Sequence, residues 1–509
     1  MLLISALQKY GELATSQLAL SSVVLLVVYL LIDYMFGVKP AQAEPRFLPS
    51  RIPYFGHLIN IICKGVNYYE ELVAKHGRLP YSLAMPGGRL YVLNLPEHVI
   101  SMQKAYRELS FWSVEASFTK SLAGISDYSD EILRTNAEGQ QGIPSLVVDG
   151  MKATHAAMTG PNLSEMIERG LHRAASELEQ LSIKTDPSGD LATYCLWEWT
   201  QHVFSLATSS AVYGPGNPYE DLNVEKGLYQ FEDSTMLFLT GLPLRIFVRK
   251  GYAAREVIVA AFKKFFAEKS DSKASQLVKN RADVLRRYAI PEADIARFET
   301  ANGFGILLNL LPTAYWTIWH VFSDRALLHA VREEAKAAFG PDASLRSEAS
   351  LNAFQSLPLL TSVMSEALRY NTTGAAVRRV TKDHLLNGQL LLKKGSYCLV
   401  PNKGAHFDSN QWGSEAHLFQ ADRFLKTENR VNGASFRGFG GGVNLCPGKS
   451  FATRLIVTTV AAMALQLDIE PCTPSGALDH PGHDESSMAI VVARPAMRYR
   501  VRLVPRGGK

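Results

Sequence analysis

The sequence predicts a mainly α-helical domain with small antiparallel β-sheets, preceded by an N-terminal transmembrane helix. Three observations predict it. From about residue 100 to 380 the patterning is helical, broken by short polar stretches such as Tyr213-Gly-Pro-Gly-Asn-Pro218. The β signals are short runs flanking glycine turns. A charge-free apolar run, Leu18 to Ile32, stands near the N-terminus.

That run, extended past Asp33 by Tyr34, Met35 and Phe36, just reaches the roughly 20 residues a helix needs to span a bilayer. Two other readings compete. Ala41-Gln42-Ala43 resembles a signal-peptidase site but lies far beyond the run. A buried core helix fits poorly with the N-terminal position and the Pro-rich stretch that follows. Residues 1–38 are therefore expected to be a single-pass anchor. Lys39, Arg46 and Arg51 follow the run against Lys9 before it, a bias that places the body on the cytosolic side.

Residues 39–58 carry Pro40, Pro45, Pro49 and Pro53 and read as a semi-rigid linker, because each proline fixes its φ and disfavours helix before it. The body, 59–509, opens with a helix from Val66 to His76, stopped by Gly77. Tyr81–Met85 and Leu90–Leu95 flank Pro86-Gly87-Gly88 and read as a β-hairpin. Further β regions are expected around Asn387-Gly388 and Lys394-Gly395, and last at Ala489–Arg494 and Tyr499–Leu503.

The composition excludes several classes. A chain of 509 residues, 47% hydrophobic, can bury a large core. Its net charge of +5 is spread thinly; no Lys/Arg cluster interleaved with aromatics marks a nucleic-acid binder. Mild basicity suits an acidic redox partner or an anionic lipid surface. Cys63, Cys195, Cys398, Cys446 and Cys472 are odd in number, far apart and without a Cys-x-x-Cys pair. That argues against a disulfide framework, a zinc site and c-type haem attachment.

The most informative segment is Phe436-Arg-Gly-Phe-Gly-Gly-Gly-Val-Asn-Leu-Cys-Pro-Gly-Lys-Ser-Phe-Ala452, leading into an apolar helix expected from Lys449 to Leu467. Pro447 fits a first helical position, which would put Cys446 at the N-cap, with free N–H groups and the positive dipole end at its sulfur. Such surroundings favour a thiolate. Gly440, Gly441 and Gly442 leave room for a flat ligand against the backbone. The same residues also describe a tight turn before a core helix with a buried, inert cysteine, and on the residues alone both readings stay open. A dinucleotide loop fails on glycine spacing.

The segment resembles the haem loop of cytochromes P450, Phe-x-x-Gly-x-Arg/His-x-Cys-x-Gly, with Phe439, Gly442, Cys446 and Gly448 in the fixed places. The resemblance implies haem b with Cys446 as its axial thiolate and metal ligand. Asn444 departs from the pattern, standing where Arg or His usually meets a haem propionate, as in some sterol-hydroxylase and prostacyclin-synthase relatives. Upstream, Glu366 and Arg369 fit the family's Glu-x-x-Arg, a spacing that puts both on one helix face. Ala421-Asp-Arg-Phe424 stands for its Pro-Glu-Arg-Phe, so Arg423 is implied to close a buried structural triad. Arg378 occupies a position that often reaches a propionate. Lys394-Gly395, His406-Phe-Asp408 and Trp412 follow in family order. The family's Trp-x-x-x-Arg is missing around Met151–Arg173.

Residues 300–323 contain no Asp, Glu, Lys or Arg and read as a buried core helix rather than a second span. There Leu308-Asn309-Leu-Leu-Pro312-Thr313-Ala-Tyr-Trp316 replaces the family's acid–alcohol pair and resembles the sterol 7α-hydroxylase and prostacyclin-synthase branch. Asn309 and Thr313 are the catalytic candidates; the bland reading is a kinked core helix with a satisfied Asn. Pro312 cannot donate to the carbonyl of Leu308, so distortion is expected there, opening a groove above the iron.

The resemblance implies a monooxygenase inserting one oxygen atom from dioxygen into a bulky apolar sterol, terpenoid or similar secondary metabolite. Electrons would come from NADPH-cytochrome P450 reductase, with the protein in the endoplasmic reticulum membrane. A haem-thiolate isomerase that rearranges a peroxide without external electrons is one alternative, and a non-catalytic haem sensor another.

Overall fold

The helical body forms where long stretches are apolar on nearly every face. Leu196–Tyr213, Leu310–Ser323 and Lys449–Gln466 are buried almost all round, the pattern of helices inside a large domain. Leu196–Tyr213 packs on Gly160–Leu181 and on Leu310–Ser323, while Lys449–Gln466 lies against Gly160–Leu181, Arg325–Phe339 and Leu310–Ser323. Phe204, Trp316, Leu455 and Val460 belong to the one apolar core these helices enclose. The computed structural model describes residues 31 and 33–506, except 141, 182–191, 239–243, 341–343, 426–432 and 486–489.

The largest sheet has six strands in the order Arg46–Phe47, Tyr81–Met85, Gly88–Val92, Tyr397–Pro401, Ala375–Val380 and Leu109–Ser110. It is mixed rather than antiparallel, because Arg46–Phe47 runs parallel to Tyr81–Met85 and Gly88–Val92 parallel to Tyr397–Pro401. The expected hairpin is present with Met85 opposite Gly88. Its second strand ends at Val92, since Pro96 opens a helix to Lys104. The helix expected from Val66 starts at Asn67 and stops at Gly77, whose φ of 81° suits glycine, and another helix, Gly56–Lys64, precedes it across the expected end of the linker.

The Pro-rich stretch is fastened to this sheet rather than free of it. Glu44 is buried, accepting from the Tyr91 hydroxyl at 2.8 Å and pairing with Arg89 at 3.0 Å, and Ser82 donates to the Pro45 carbonyl at 2.6 Å.

The hairpin His384–Leu386 with Leu390–Leu392 turns at Asn387 and Gly388, both at positive φ (54° and 71°), as a type I′ turn requires. The final β region differs from expectation. Arg500–Pro505 pairs with Leu467–Pro471 and Thr193–Cys195, and Arg494–Pro495 with His483–Asp484. The stretch before Arg494 is used elsewhere: Val492 bridges Thr372, and Ala489 is outside the described residues.

No helix among the described residues is long and apolar enough to cross a membrane. The expected anchor, residues 1–38, falls outside them apart from Leu31 and residues 33–38, of which Asp33–Phe36 are helical.

The charge-free stretch divides into Glu292–Leu307 and Leu310–Ser323. The break at Leu308–Asn309 falls where the missing N–H of Pro312 leaves the Leu308 carbonyl without a helical donor.

Candidate active site

Cys446 is presented by a tight hairpin. Gly440 pairs with Leu445 and Gly441 with Asn444 around Gly442-Val443. The Cys446 N–H then donates to the Phe439 carbonyl at 2.9 Å. Gly440 and Gly442 sit at φ 76° and 62°. A Cβ on Gly440 would stand 2.8 Å from the Asn444 carbonyl oxygen, and one on Gly441 2.6 Å from Nε2 of Gln103. The glycines are thus required by the hairpin's own closure and by Gln103.

The helix that follows starts at Lys449 with Gly448 as its cap residue, so Cys446 lies two residues before the N-cap instead of on it. The hairpin holds the chain extended through Leu445, and the turn needs Pro447 and Gly448 to enter the helix. The backbone N–H groups of Gly448 and Lys449 still reach the sulfur. A Cβ on Gly448 would come 3.7 Å from Sγ and 3.9 Å from the Met158 methyl, so the residue beside the thiol must be small. The thiol is accessible, yet ringed by enough protein that burial pushes it above its ordinary value, and the two N–H donors offset this only in part. A metal cation supplies what those donors do not, since coordination deprotonates a thiol outright. Cys398, by contrast, is sealed in the sheet's core with its thiol pushed up to about 12 by burial.

Behind the hairpin lies a layer of buried charge. Glu366 receives Nε of Arg369 at 2.7 Å, Nη2 of Arg369 at 2.8 Å and Nε of Arg423 at 2.9 Å. Arg369 also donates to the carbonyls of His406 and Ala416, each at 2.7 Å, and Arg423 to Trp412, Glu415 and Leu418. The structure therefore brings together the three residues expected to form a triad.

His406 continues this layer toward the cysteine. Its Nδ1 lies 3.0 Å from the Arg369 carbonyl, and its Nε2 accepts the backbone N–H of Arg437 at 2.8 Å. Arg437 is a residue the sequence reading passed over. It is buried, donates from Nε to the Asn402 side chain at 3.2 Å, and leaves Nη1 without a partner among the described residues. Arg378, on the neighbouring strand, is also buried. It donates to its own strand at the Val377 carbonyl and lies 5.1 Å over the Phe111 ring. Neither arginine has a carboxylate partner among the described residues.

Asn309 and Thr313 are at the helix break, but differently employed than expected. Oδ1 of Asn309 accepts the Val491 N–H at 2.7 Å, and the Thr313 hydroxyl donates back to the Asn309 carbonyl at 2.6 Å. Trp316 donates to the Ala493 carbonyl at 2.7 Å. The break is stitched to the 491–493 segment by the Asn309 and Trp316 bonds. Phe439 is half-buried beneath the Lys449 ammonium, 5.7 Å from its ring. Asn444 keeps a buried Oδ1 without a partner among the described residues.

The donor set suits one kind of group. An accessible cysteine beside a glycine, in a loop that also carries a buried cation with no acid among the described residues, fits a flat metal complex with carboxylates at one edge.

A cytochrome P450 family model matches residues 310–492. A cytochrome P450 monooxygenase of Hypoxylon pulicicidum is 28% identical over 476 residues, covering 90% of this chain and 89% of that protein. One from Gibberella zeae is 25% identical over 484 residues, covering 90% and 88%. Human 7-alpha-hydroxycholest-4-en-3-one 12-alpha-hydroxylase is 28% identical over 246 residues, covering 44% of this chain and 48% of that protein. The relatives are cytochrome P450 monooxygenases, which supports an oxidoreductase, and the Cys446 hairpin can present a thiolate to haem iron. The similarity is to the cytochrome P450 family, whose members use haem with thiolate-ligated iron.

Proposed function

We propose that this protein is a monooxygenase that inserts one oxygen atom from dioxygen into a bulky apolar substrate of the sterol, terpenoid or related secondary-metabolite class. The observation that carries the reading is Cys446, set on a closed hairpin with backbone N–H groups at its sulfur and a glycine beside it. A thiolate-ligated haem pushes electron density toward dioxygen and favours O–O cleavage.

The chain's own part is to bind, orient and exclude water. Cys446 would ligate the iron. Phe439, Gly442 and Gly448 would shape the face around the sulfur, and Arg378 would neutralise the carboxylate edge. Thr313 and the Asn309 amide N–H groups are the polar functions nearest the helix break, able to hold a water where protons are delivered. Asn309 cannot act as a titrating acid, so its part is positional. The steroid named for the human relative supports the substrate class, and the two fungal relatives support monooxygenase chemistry.

Electrons would come from an NADPH-cytochrome P450 reductase. The half-exposed face carrying Val443, Leu445, Lys449 and Arg454 offers basic and apolar contacts to an acidic donor. The apolar run Leu18–Ile32 supports a single-pass anchor in the endoplasmic reticulum, with residues 59–509 facing the cytosol.

Two measurements test this. A reduced carbon-monoxide difference spectrum of the full chain should show the thiolate-type band. Cys446→Ala should abolish it, while Ser at Cys63, Cys195, Cys398 or Cys472 should leave it. Turnover under labelled dioxygen with NADPH and reductase should place label in the product. Full turnover of a peroxide substrate without NADPH would instead establish an isomerase.

A further inference from the structure

We infer that Arg437 grips the anionic edge of the haem in place of the basic residue absent at Asn444. The inference rests on the haem reading above and adds to it which residue supplies the missing charge.

Three observations carry it. First, Arg437 is a guanidinium only 2% exposed with no carboxylate partner among the described residues. Its Nε bond to Asn402 leaves Nη1 unused. A buried cation without a counter-charge is heavily penalised, so the fold keeps it only where something else completes it. Arg378 lies close enough to add repulsion to the effect of burial, and together they push Arg437 down to about 10. Burial alone does the same to Arg378. Two neighbouring cations without an acid describe a site for a doubly anionic edge, and paired carboxylates suit guanidinium forks.

Second, residue 444 cannot do this. Asn444 is neutral, its strand is committed to the hairpin through Gly441, and its Oδ1 is a buried acceptor. A carboxylate placed there would meet a neutral amide rather than a cation.

Third, the backbone on either side of the Arg437 side chain is held in place by the layer behind it. His406 is a rigid bracket. Nδ1 must donate to the Arg369 carbonyl for Nε2 to accept the Arg437 N–H, so the ring is neutral with a fixed tautomer. Gly438 lets the chain turn against the triad helix, since a Cβ there would lie 3.2 Å from Cβ of Leu368 and 2.9 Å from the Phe436 ring. The guanidinium is thereby referenced to the Glu366–Arg369 layer, as a ligand-gripping group needs to be.

The experiment is haem transfer from the full-length holoprotein to excess apomyoglobin, with helix content followed by circular dichroism. Charge-assisted hydrogen bonds of this kind set the scale, so Arg437→Gln should release haem roughly ten- to a hundredfold faster than wild type. Arg437→Lys, which keeps the charge but not the fork, should fall between, and Asn444→Ala should stay within about twofold of wild type. A merely structural role predicts no rescue by lysine. If Arg437→Gln fails to fold, Asn402→Ala frees the guanidinium without removing it and should accelerate release several-fold. Wild-type release from folded Arg437→Gln or Asn402→Ala, or acceleration by Asn444→Ala equal to that of Arg437→Gln, overturns the assignment. Absence of the thiolate-type spectrum in the wild type would sink the haem-thiolate reading itself.

Discussion

The Glu366–Arg369–Arg423 cluster and the Arg378–Arg437 pair bury the same chemical group under opposite terms. In the first, two guanidiniums share one carboxylate, and their remaining N–H groups are spent on backbone carbonyls. In the second, two guanidiniums share no acid among the described residues. His406 stands between them, bonded to Arg369 on one side and Arg437 on the other. A closed charge network needs nothing further and holds the chain in place, whereas an open one is unfinished until a ligand arrives. Satisfaction, more than burial, separates scaffold from site.

The largest effect that would break the comparison comes from opening the closed cluster. Glu366→Gln keeps the shape but leaves Arg369 and Arg423 buried without an anion, so it should cost about 3–5 kcal/mol in unfolding free energy. Arg378→Met removes a cation the protein does not itself neutralise and should cost clearly less, while weakening haem retention. Urea unfolding of both variants reads this; equal losses would erase the distinction.

A second effect sharpens the role of the bracket. Burial, reinforced by Arg369 and Arg437, pushes His406 down to about 3 from its ordinary 6.5. Between those values the unfolded chain takes up a proton that the folded chain refuses. The neutral ring's contribution is thus fully present above pH 6.5 and is lost as pH falls, at about 1.4 kcal/mol per pH unit. His483, pushed down to about 4 chiefly by burial, adds a slope of the same sign. His406→Gln retains a donor and an acceptor but does not titrate, so its stability should fall less steeply between pH 6.5 and 4.5. Melting midpoints across that range decide it, and parallel curves would mean His406 is not the group responsible.

The closed cluster was legible because its information is local and ordered. Glu366 and Arg369 are three apart on one helix, and Arg423 follows in a recognisable run. The helix break was legible because proline's missing N–H acts on the residue four before it. The open pair was only half legible. Arg437 lies in the quoted loop, but nothing in the loop says that Asn402 and His406, some thirty residues earlier, would bury and aim it. The cap was misplaced for a related reason. Pro447 is a fair first helical residue, but hairpin pairing through Asn444-Leu445 delays the helix to Lys449. Asn309 shows the limit most plainly, since its partner Val491 is 182 residues away.

That partnership sets the smallest and last effect. Oδ1 of Asn309 fastens the helix break to the segment that also receives Trp316, while the amide N–H groups have no bond to the described residues. Two functions therefore sit on one side chain, and two substitutions divide them. Asn309→Asp keeps an acceptor for the Val491 N–H and removes the donors. Asn309→Leu removes both. Losing one neutral hydrogen bond costs about 1 kcal/mol, so the leucine variant should melt slightly lower and the aspartate variant close to wild type. If the donors hold a water during turnover, both variants should send a larger share of NADPH electrons to hydrogen peroxide. If Asn309 is only a fastener, peroxide should rise with leucine alone, in step with its loss of stability. Melting curves and peroxide yield on the same three proteins distinguish these outcomes, and the expected one is a leaking but stable Asn309→Asp.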